Sequence, residues 1–581
     1  DKPLKAVQNI REKSEKCNIL ALLALKEYAP QRHRLAPSDR AQMGAIKSDV
    51  SKRDLVYKHV THWHAPSESR AIVAIAHDLY CFREWSPKMK ILMVASEAVP
   101  YAKTGGLADV AGVLPKFLRQ LGHDVRVVIP LYGSIDRWKY RMDDVPGAMG
   151  VWMGVMGELW CGIKESRLPN SDVPVYFVDY ERFYARPQLY NEPNGQGFMD
   201  NDNRFVFLSR AALQLCKKLD FAPDIVHCND WHTAAVPIFL NTVYRDDPFF
   251  SHTASLLTIH NMEYQGRYYS GLMDVLDIGW EHFNHLELEW QGQVNLLKGG
   301  IYHSTLFNAV SHGYAAEILT PQFGHGLEGV VQDRRDALRG VLNGIDYEEW
   351  NPAHDVYITA PYDKEQMAGK AVCKHALQEE MHLVPRSDVP LFGLVARLVD
   401  QKGIRLLAEV FESLMALDLQ IALLGSGESW AHDFFNAMAA KYPGKFACYL
   451  GYSNPLAHRI EAGSDFFLMP SVFEPCGLNQ LYSLRYGSLP IVHAVGGLND
   501  TVENFDEYNH TGTGFKYNDQ TPGAFYDTIG WALSTWYHRP DDIAGLRWRA
   551  MSQVFSWQGS ASQYVDIYRE AIWRRTGQSV D

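Results

Sequence analysis

The strongest constraint on the fold is an alternation of short apolar runs with helical segments, which occurs twice along the chain. The first series begins at Lys90 and the second at Pro390. In each series, runs of strand length end in glycine, polar or charged residues before an amphipathic segment follows. Buried strands that alternate with helices form parallel, doubly wound sheets. We therefore predict an α/β fold with two Rossmann-like sheets that face each other.

The same pattern predicts where the domains begin and end. A chain of 581 residues is too long for one ordinary core. Residues 1–88 do not share the alternation and read as a mainly helical extension of unassigned role. The other predicted parts are an N-terminal Rossmann-like domain over 89–355, a linker with a helix over 356–389, a C-terminal Rossmann-like domain over 390–555, and a terminal helix over 556–581 that packs back on the N-terminal domain.

The first strand leads into a glycine turn that favours anion binding. Residues 90–94 form an apolar run, and Lys103 precedes Thr104 and the pair Gly105 and Gly106, which open an amphipathic helix. Glycines let the backbone approach a ligand closely, and free N–H groups at a helix start attract negative charge. Lys103 adds a mobile positive charge. An anionic ligand is therefore expected at this turn.

The second series carries the opposite half of the predicted site. Arg397 and Lys402 follow one strand, where they are placed to neutralise a diphosphate, and Glu474 follows another, where it can accept hydrogen bonds from sugar hydroxyls. A single Lys or Arg is more commonly a solvated surface residue. Tyr452 fits stacking on a base and a half-buried core position equally well. Cys476 is interpreted as a packing residue, because the sequence offers it no base partner.

Composition excludes several function classes. The formal net charge of −12 argues against binding to nucleic acid or anionic membranes, and the eight cysteines show no metal-type spacing. The longest apolar run near the start, residues 19–25, is too short to span a bilayer. We expect a cytoplasmic location, with the plastid stroma as the alternative. A cluster of His59, His62 and His64 is interpreted as a solvated loop or interface rather than a metal site.

Three other assignments are less favoured by the sequence. A dehydrogenase is disfavoured because the first glycine turn is not G-x-G-x-x-G. A periplasmic-type binding protein is disfavoured because no signal peptide is evident, although a mature chain would have lost it. The stretch 200–202 (Asp-Asn-Asp) resembles the D-x-D metal-diphosphate motif, but it precedes a predicted helix, so we do not assign it that role.

A set of motifs in this order resembles the signature of bacterial glycogen synthases and plant starch synthases. The motifs are Lys103–Val110 (KTGGLADV), His227–His232 (HCNDWH), Thr258–Asn261 (TIHN), Tyr264–Gly266 (YQG), Val341–Asp346 (VLNGID), Arg397 with Gln401–Gly403 (QKG), Phe473–Gly477 (FEPCG) and Gly496–Leu498 (GGL). The resemblance covers about residues 89–575. It implies the GT-B fold and a retaining glucosyltransferase that moves glucose from ADP-glucose to the non-reducing-end 4-hydroxyl of an α-1,4-glucan. It implies no cofactor and no metal.

The resemblance also implies roles for individual residues. The residues implied to be catalytic are Lys103, His260, Arg397, Lys402 and Glu474. Those implied to bind the donor are Gly105, Gly106, Tyr452, Cys476, Gly477, Leu478, Gly496 and Gly497. Those implied to orient the glucose or the acceptor are Asp109, Asp230 and Asn343. No carboxylate in these motifs is an obvious covalent nucleophile, so the expected route is same-face substitution through an oxocarbenium-like ion pair.

Some features remain open in the sequence. Val495 stands where many members of the family have Thr. The alternatives to an ADP-glucose enzyme are another GT-B transferase, such as a UDP-glucose or sucrose-synthase type, and a non-catalytic glucan-binding homologue. The acceptor is expected to be glycogen, starch or a maltooligosaccharide, with no nucleic-acid partner and no membrane. The oligomeric state is left open.

Overall fold

The structure, a computed structural model, describes residues 89–192 and 195–579, which fall in a single compact unit. The predicted N-terminal extension, with its three histidines, lies outside the described residues. Within the unit, two sheets face each other, each covered by helices. The C-terminal sheet is parallel throughout, and the N-terminal sheet is parallel except at one edge, where β5 (Glu158–Arg167) pairs antiparallel with the strands beside it. The prediction of an α/β fold with two facing doubly wound sheets is confirmed.

The N-terminal sheet has ten strands in the order β13-β12-β8-β7-β1-β2-β6-β5-β3, with β4 beside β5, and a small separate sheet runs in the order β10-β11-β9. The strands in chain order are β1 (Lys90–Val94), β2 (Asp124–Pro130), β3 (Asp143–Asp144), β4 (Met149–Trp152), β5 (Glu158–Arg167), β6 (Pro174–Asp179), β7 (Ile225–Asn229), β8 (Ala254–Ile259), β9 (Arg267–Tyr269), β10 (Glu289–Trp290), β11 (Gln293–Asn295), β12 (Leu306–Ala309) and β13 (Leu338–Gly340). Strands β7 and β8 are buried along their full length. Such continuous burial is what a sheet covered on both faces requires.

The helices of this half connect the strands and cover the sheet. They are α1 (Gly106–Gln120), α2 (Glu181–Tyr184), α3 (Asn201–Lys218), α4 (Ala235–Asn241), α5 (Leu272–Leu276), α6 (Leu296–His303), α7 (His312–Glu317) and α8 (Glu328–Asp333). Helix α7 begins at His312 because Ser311 caps it. The Ser311 side chain accepts a hydrogen bond from the backbone N–H of Tyr314 at 3.0 Å.

The C-terminal sheet has six strands in the order β16-β15-β14-β17-β18-β19, all parallel. Its strands are β14 (Leu391–Leu398), β15 (Gln420–Gly427), β16 (Phe446–Leu450), β17 (Phe466–Met469), β18 (Leu489–His493) and β19 (Phe515–Tyr517). Its helices are α9 (Ala368–Glu380), α10 (Ile404–Met415), α11 (Ser429–Lys441), α12 (Asn454–Gly463), α13 (Asn479–Tyr486), α14 (Gly496–Thr501), α15 (Pro522–His538), α16 (Pro540–Ser552) and α17 (Trp557–Thr576).

The last helix, α17, follows the C-terminal sheet in the chain but packs against the N-terminal one. Tyr564 and Tyr568 are fully buried there. The Tyr568 hydroxyl lies 2.8 Å from His227 Nδ1 on β7, and Asn308 on β12 donates to the Tyr564 hydroxyl at 3.3 Å. The chain therefore crosses between the two halves twice.

The two crossings lie side by side. The backbone N–H of Ile345 donates to the Phe555 carbonyl at 2.9 Å, and Ile345 forms a parallel bridge with Ser556. A Cβ added to Gly344 would lie 2.4 Å from the backbone nitrogen of Trp557. Only glycine allows this close approach, so the two segments form one connecting strip.

Candidate functional site

A cavity of about 870 Å³ lies between the two sheets and is lined by residues from both. It opens at the carboxyl ends of the strands, where ligands bind in doubly wound sheets. Eleven of the sequence-predicted site residues line it: Gly105, Gly106, Asp230, His260, Asn343, Arg397, Lys402, Glu474, Cys476, Gly477 and Leu478. The other five, Lys103, Asp109, Tyr452, Gly496 and Gly497, do not line it.

The C-terminal wall centres on an ion pair between Lys402 and Glu474. Lys402 Nζ lies 2.5 Å from Glu474 Oε2, and the Ser471 hydroxyl donates to the same oxygen at 2.9 Å. The Glu474 side chain is only 7% exposed. Arg397, near the end of β14, donates to the Gln401 side chain at 2.9 Å. Two cations and one buried carboxylate therefore share this wall.

Gly496 and Gly497 hold the loop that carries Glu474. The backbone N–H of Gly497 donates to the Glu474 carbonyl at 3.0 Å. A Cβ on Gly496 would lie 2.1 Å from that carbonyl oxygen, and a Cβ on Gly497 would lie 2.0 Å from the carbonyl oxygen of Cys476. Gly496 also has a positive φ of 43°. These glycines thus position the loop from outside the cavity.

The same glycine turn joins the two halves of the molecule. The backbone N–H of Gly496 donates to Glu317 Oε1 at 2.7 Å, and that of Gly313 donates to Asp500 Oδ2 at 2.7 Å. The Ser311 hydroxyl donates to the Pro475 carbonyl at 2.6 Å. Helix α7 of one half therefore packs on α14 of the other, next to the cavity.

The N-terminal wall is the glycine turn before α1. Gly106 is the first residue of that helix, and both it and Gly105 face the cavity. The backbone N–H and the hydroxyl of Thr104 both donate to Glu97 Oε2, at 2.5 and 2.9 Å. Lys103 Nζ is paired with Asp109 Oδ1 at 2.7 Å. Its ammonium group is therefore held at the edge of the turn, with the side chain 46% exposed.

Glu97 is a cavity residue that the sequence reasoning did not single out. It is 3% exposed, and burial raises its pKa to about 8, opposed by the Thr104 hydrogen bonds and reinforced by the charges of Asp109 and Asp230. Glu97 is thus largely protonated at neutral pH, so it places little negative charge beside the glycine turn. Its position just after β1, where parallel strands present ligand-binding residues, is the sequence feature that could have identified it.

Asp230 and His260 form the floor of the cavity at the ends of β7 and β8. Asp230 Oδ1 accepts hydrogen bonds from the backbone N–H groups of His260 at 2.7 Å and Asn261 at 3.4 Å. Burial raises the pKa of Asp230 to about 7. Asp230 also has a positive φ of 56°, a strained conformation for a residue other than glycine.

His260 is a neutral hydrogen-bonding group here. Its Nε2 lies 2.9 Å from the side-chain oxygen of Asn229, and burial lowers its pKa to about 3. A neutral imidazole has one N–H donor and one acceptor nitrogen, so it can orient a hydroxyl group without adding charge.

The remaining sequence-predicted residues have simpler surroundings. Burial raises the pKa of Cys476 to about 12, which keeps it a thiol, and Asn343 lies beside it. Tyr452 is 80% exposed. Asp200, from the D-x-D-like stretch, pairs with Arg186 at 2.6 Å and stands directly before α3. No helix in 89–192 or 195–579 is long and apolar enough to cross a membrane.

Comparisons with known proteins match this chain to glycosyl transferases that synthesise starch or glycogen. Residues 90–333 match the family described as the starch synthase catalytic domain, and residues 379–543 match glycosyl transferases group 1. Over 85% of its length the chain is 57% identical to glycogen synthase 1 of Geobacter sulfurreducens, covering 98% of that protein. It is 44% identical to the glycogen synthase of Treponema denticola, over 84% of this chain and 99% of that one.

Solved structures give the same result. The catalytic domain of starch synthase IV from Arabidopsis thaliana, bound to ADP and acarbose, superimposes with a TM-score of 0.77 at 31% identity, covering 84% of this chain and 100% of that one. A sucrose-phosphate synthase from Thermosynechococcus elongatus matches with a TM-score of 0.51 at 15% identity, over 83% of this chain and 99% of that one. At that identity the second match concerns the fold alone.

Proposed function

The chain belongs to the glycogen and starch synthase family, and we propose that it transfers glucose from ADP-glucose to the non-reducing-end 4-hydroxyl of an α-1,4-glucan, with retention at the anomeric carbon. One observation carries the proposal. Cations on one sheet, Arg397 and Lys402, face a glycine turn and helix start on the other, across a single cavity. A nucleotide sugar needs such an arrangement because its diphosphate must be neutralised from both sides.

In the proposed mechanism the donor competes for charges that are already paired. Lys402 is held by Glu474, and Lys103 by Asp109. A diphosphate carries more negative charge than either carboxylate, so it draws the ammonium groups towards its oxygens. Glu474 then becomes free to accept hydrogen bonds from the glucose hydroxyls.

Loss of ADP is the step at which these cations contribute most. Negative charge grows on the departing phosphate as the bond to the anomeric carbon breaks, and fixed positive groups in a shielded cleft stabilise that charge. Arg397 offers a planar fork of donors, and Lys402 offers a point charge. The glycine turn adds backbone N–H groups without a side chain to obstruct them.

The surroundings of the carboxylates favour a route without a covalent glucosyl-enzyme intermediate. Among the described residues that line the cavity, the carboxylic acids are Glu97, Asp230 and Glu474. Glu97 and Asp230 already accept hydrogen bonds from neighbouring groups, and Glu474 is assigned to the glucose hydroxyls. A retaining glycosidase needs a free carboxylate nucleophile and a second carboxylic acid. We therefore propose that the acceptor hydroxyl attacks from the face that ADP leaves, with the phosphate taking its proton.

The direct test is transfer of labelled glucose from ADP-glucose to glycogen. We expect incorporation by the full chain and loss of nearly all activity in Lys103→Ala, which removes the mobile charge beside the glycine turn. Lys441→Ala is the matched control, because Lys441 forms an exposed ion pair with Glu412 on the outer surface. Full activity in Lys103→Ala would rule out this residue as part of the donor site.

The same assay separates the alternative functions. Turnover with UDP-glucose instead of ADP-glucose would reassign the donor, and transfer to soluble fructose would indicate a sucrose-synthase type. Binding of glucan without turnover of any donor would identify a non-catalytic homologue. The paired cations in the cavity favour the first function over the last, because glucan alone carries no charge for them to neutralise.

The pH dependence of donor binding tests the state of Glu97. Its pKa of about 8 means that the group is neutral below that pH and negative above it. We expect the donor KM to rise as the pH increases through about 8, because the new charge repels the diphosphate. Glu97→Gln keeps an acceptor for Thr104 and should remove that rise. An unchanged pH profile in Glu97→Gln, with Glu412→Gln as the surface control, would contradict the assignment.

A further inference from the structure

Three side chains converge on the N-terminal half without lining the catalytic cavity. His282 Nδ1 lies 2.6 Å from Glu287 Oε2, and His303 Nε2 lies 3.1 Å from the same oxygen. The three ligand-type atoms all lie within 4.8 Å of one another. Among the described residues, no other group of three or more histidine, cysteine or carboxylate side chains brings its ligand atoms this close together.

Separate elements bring these residues together. His282 ends a 3₁₀ turn after α5, Glu287 lies in the loop before β10, and His303 is the last residue of α6. Their side chains are 23%, 15% and 6% exposed. The cluster is thus shielded by protein on most sides and still reachable by a small ion.

The carboxylate is held by a second layer of hydrogen bonds. Asn284 donates from Nδ2 to Glu287 Oε1 at 3.2 Å, and its Oδ1 accepts from the backbone N–H of Glu287 at 3.2 Å. On the helix side, the Asn241 side chain donates to the His303 carbonyl at 2.6 Å. Groups that fix the orientation of ligands in this way are a regular part of metal sites.

We propose that His282, Glu287 and His303 bind a divalent transition-metal ion of the zinc class. Two imidazole nitrogens and one carboxylate oxygen are ligands that zinc accepts, with water at a fourth position. Zinc-bound ligand atoms are separated by roughly 3.3 Å, given metal–ligand distances of about 2.0–2.1 Å. The observed contacts approach that value, so small side-chain rotations open room for the ion.

Ligation fixes the proton positions. Without a metal, His282 Nδ1 and His303 Nε2 each carry the proton that they donate to Glu287 Oε2. Ligation displaces these two protons through solvent, and each neutral ring then carries its proton on its other nitrogen. The lone pairs freed in this way point at the metal. No group is oxidised or reduced, and the carboxylate remains ionised.

The ion acts as a structural link. It ties the turn after α5 to the end of α6 and closes the intervening segment, which includes β10 and β11. That segment is also tied to a residue next to the cavity, because Asn295 donates to the side chain of buried Gln265 at 2.8 Å and Gln265 directly follows the cavity-lining Tyr264. Closing a loop with a metal stabilises the folded chain.

Cobalt(II) is the probe, because its visible absorption reports ligation by nitrogen and oxygen. The full chain is dialysed against a chelator and titrated with Co²⁺, and the melting temperature is followed in parallel with Zn²⁺. We expect one equivalent of Co²⁺ to produce the bands, Zn²⁺ to displace it, and either ion to raise the melting temperature. His303→Ala should weaken binding at least about tenfold, the lower range for disturbing a metal's surroundings.

Two further variants make the result decisive. Glu287→Gln keeps the shape and hydrogen-bonding capacity of the side chain but loses the charge, so it should weaken binding at least about tenfold while the protein stays folded. His375→Ala removes an exposed histidine that pairs with Glu379 at 3.4 Å on α9, and binding should not change. Absence of stoichiometric Co²⁺ binding, or binding that Glu287→Gln leaves intact, would overturn the proposal and leave a hydrogen-bonded cluster only.

Discussion

Replacing Lys402 with alanine is expected to lower kcat/KM for ADP-glucose by about 10²–10³-fold, the range for removing one group that stabilises transition-state charge. The larger part of the loss should fall on kcat, because the charge matters most as ADP departs. Steady-state kinetics of glucose transfer, normalised to folded protein, measures the effect. A change in KM alone would mean that Lys402 binds the donor without assisting its departure.

The control for Lys402 is another lysine in a buried ion pair of the same half. Lys374 pairs with Asp465 at 2.7 Å and does not line the catalytic cavity. Lys374→Ala should therefore lower stability but leave the activity of the folded fraction near that of the unmodified protein. In a double variant, Lys402→Ala with Glu474→Gln, the losses should not add, because each single substitution also leaves the other side chain without its partner in the unliganded site.

Replacing Gly497 with alanine is expected to destabilise the protein by about 1–3 kcal/mol, the usual range for inserting a methyl group where there is no space. The new Cβ would lie 2.0 Å from a backbone carbonyl oxygen, that of Cys476, which cannot rotate away. The loop with Glu474 must shift instead. A displacement of about 1 Å near a reacting centre can lower the rate about 10²-fold.

Chemical denaturation and glucose transfer together test this prediction. Gly530→Ala is the matched control, since Gly530 lies within α15 and an added Cβ would have open space around it. The free energy of unfolding of Gly530→Ala should rise by about 0.5–1 kcal/mol, because alanine is the better helix former. Normal activity and stability in Gly497→Ala would show that the loop does not depend on that close approach.

The strand ends were predictable from the sequence, and they bring most of the candidate site together. Arg397, Glu474 and Gly105 each follow an apolar run, and parallel strands present their carboxyl ends at one edge. The structure brings all three to one cavity. Their individual roles remain predictions, because position alone does not identify the ligand.

Other features depend on contacts between distant segments and leave no local pattern. The pairing of Lys402 with Glu474 joins residues 72 positions apart, and the protonation of Glu97 arises from burial that no sequence periodicity reveals. Gly496 and Gly497 are predicted to bind the donor, and the structure places them against the backbone of the loop that carries Glu474, outside the residues that line the cavity. A glycine pair indicates that another group packs closely on the backbone, but the sequence does not identify whether that group is a ligand or another segment of the chain.

The double connection between the two halves determines how they can move. A single flexible tether would let two bodies twist, slide and drift independently. Here the segments at Ile345 and Phe555 are bonded to each other, so they bend together as one strip. Two bonded connections restrict relative motion more than one tether would, and we expect them to favour a swing about an axis through the strip. Such a swing would bring the glycine turn and Lys402 together along the same path each time.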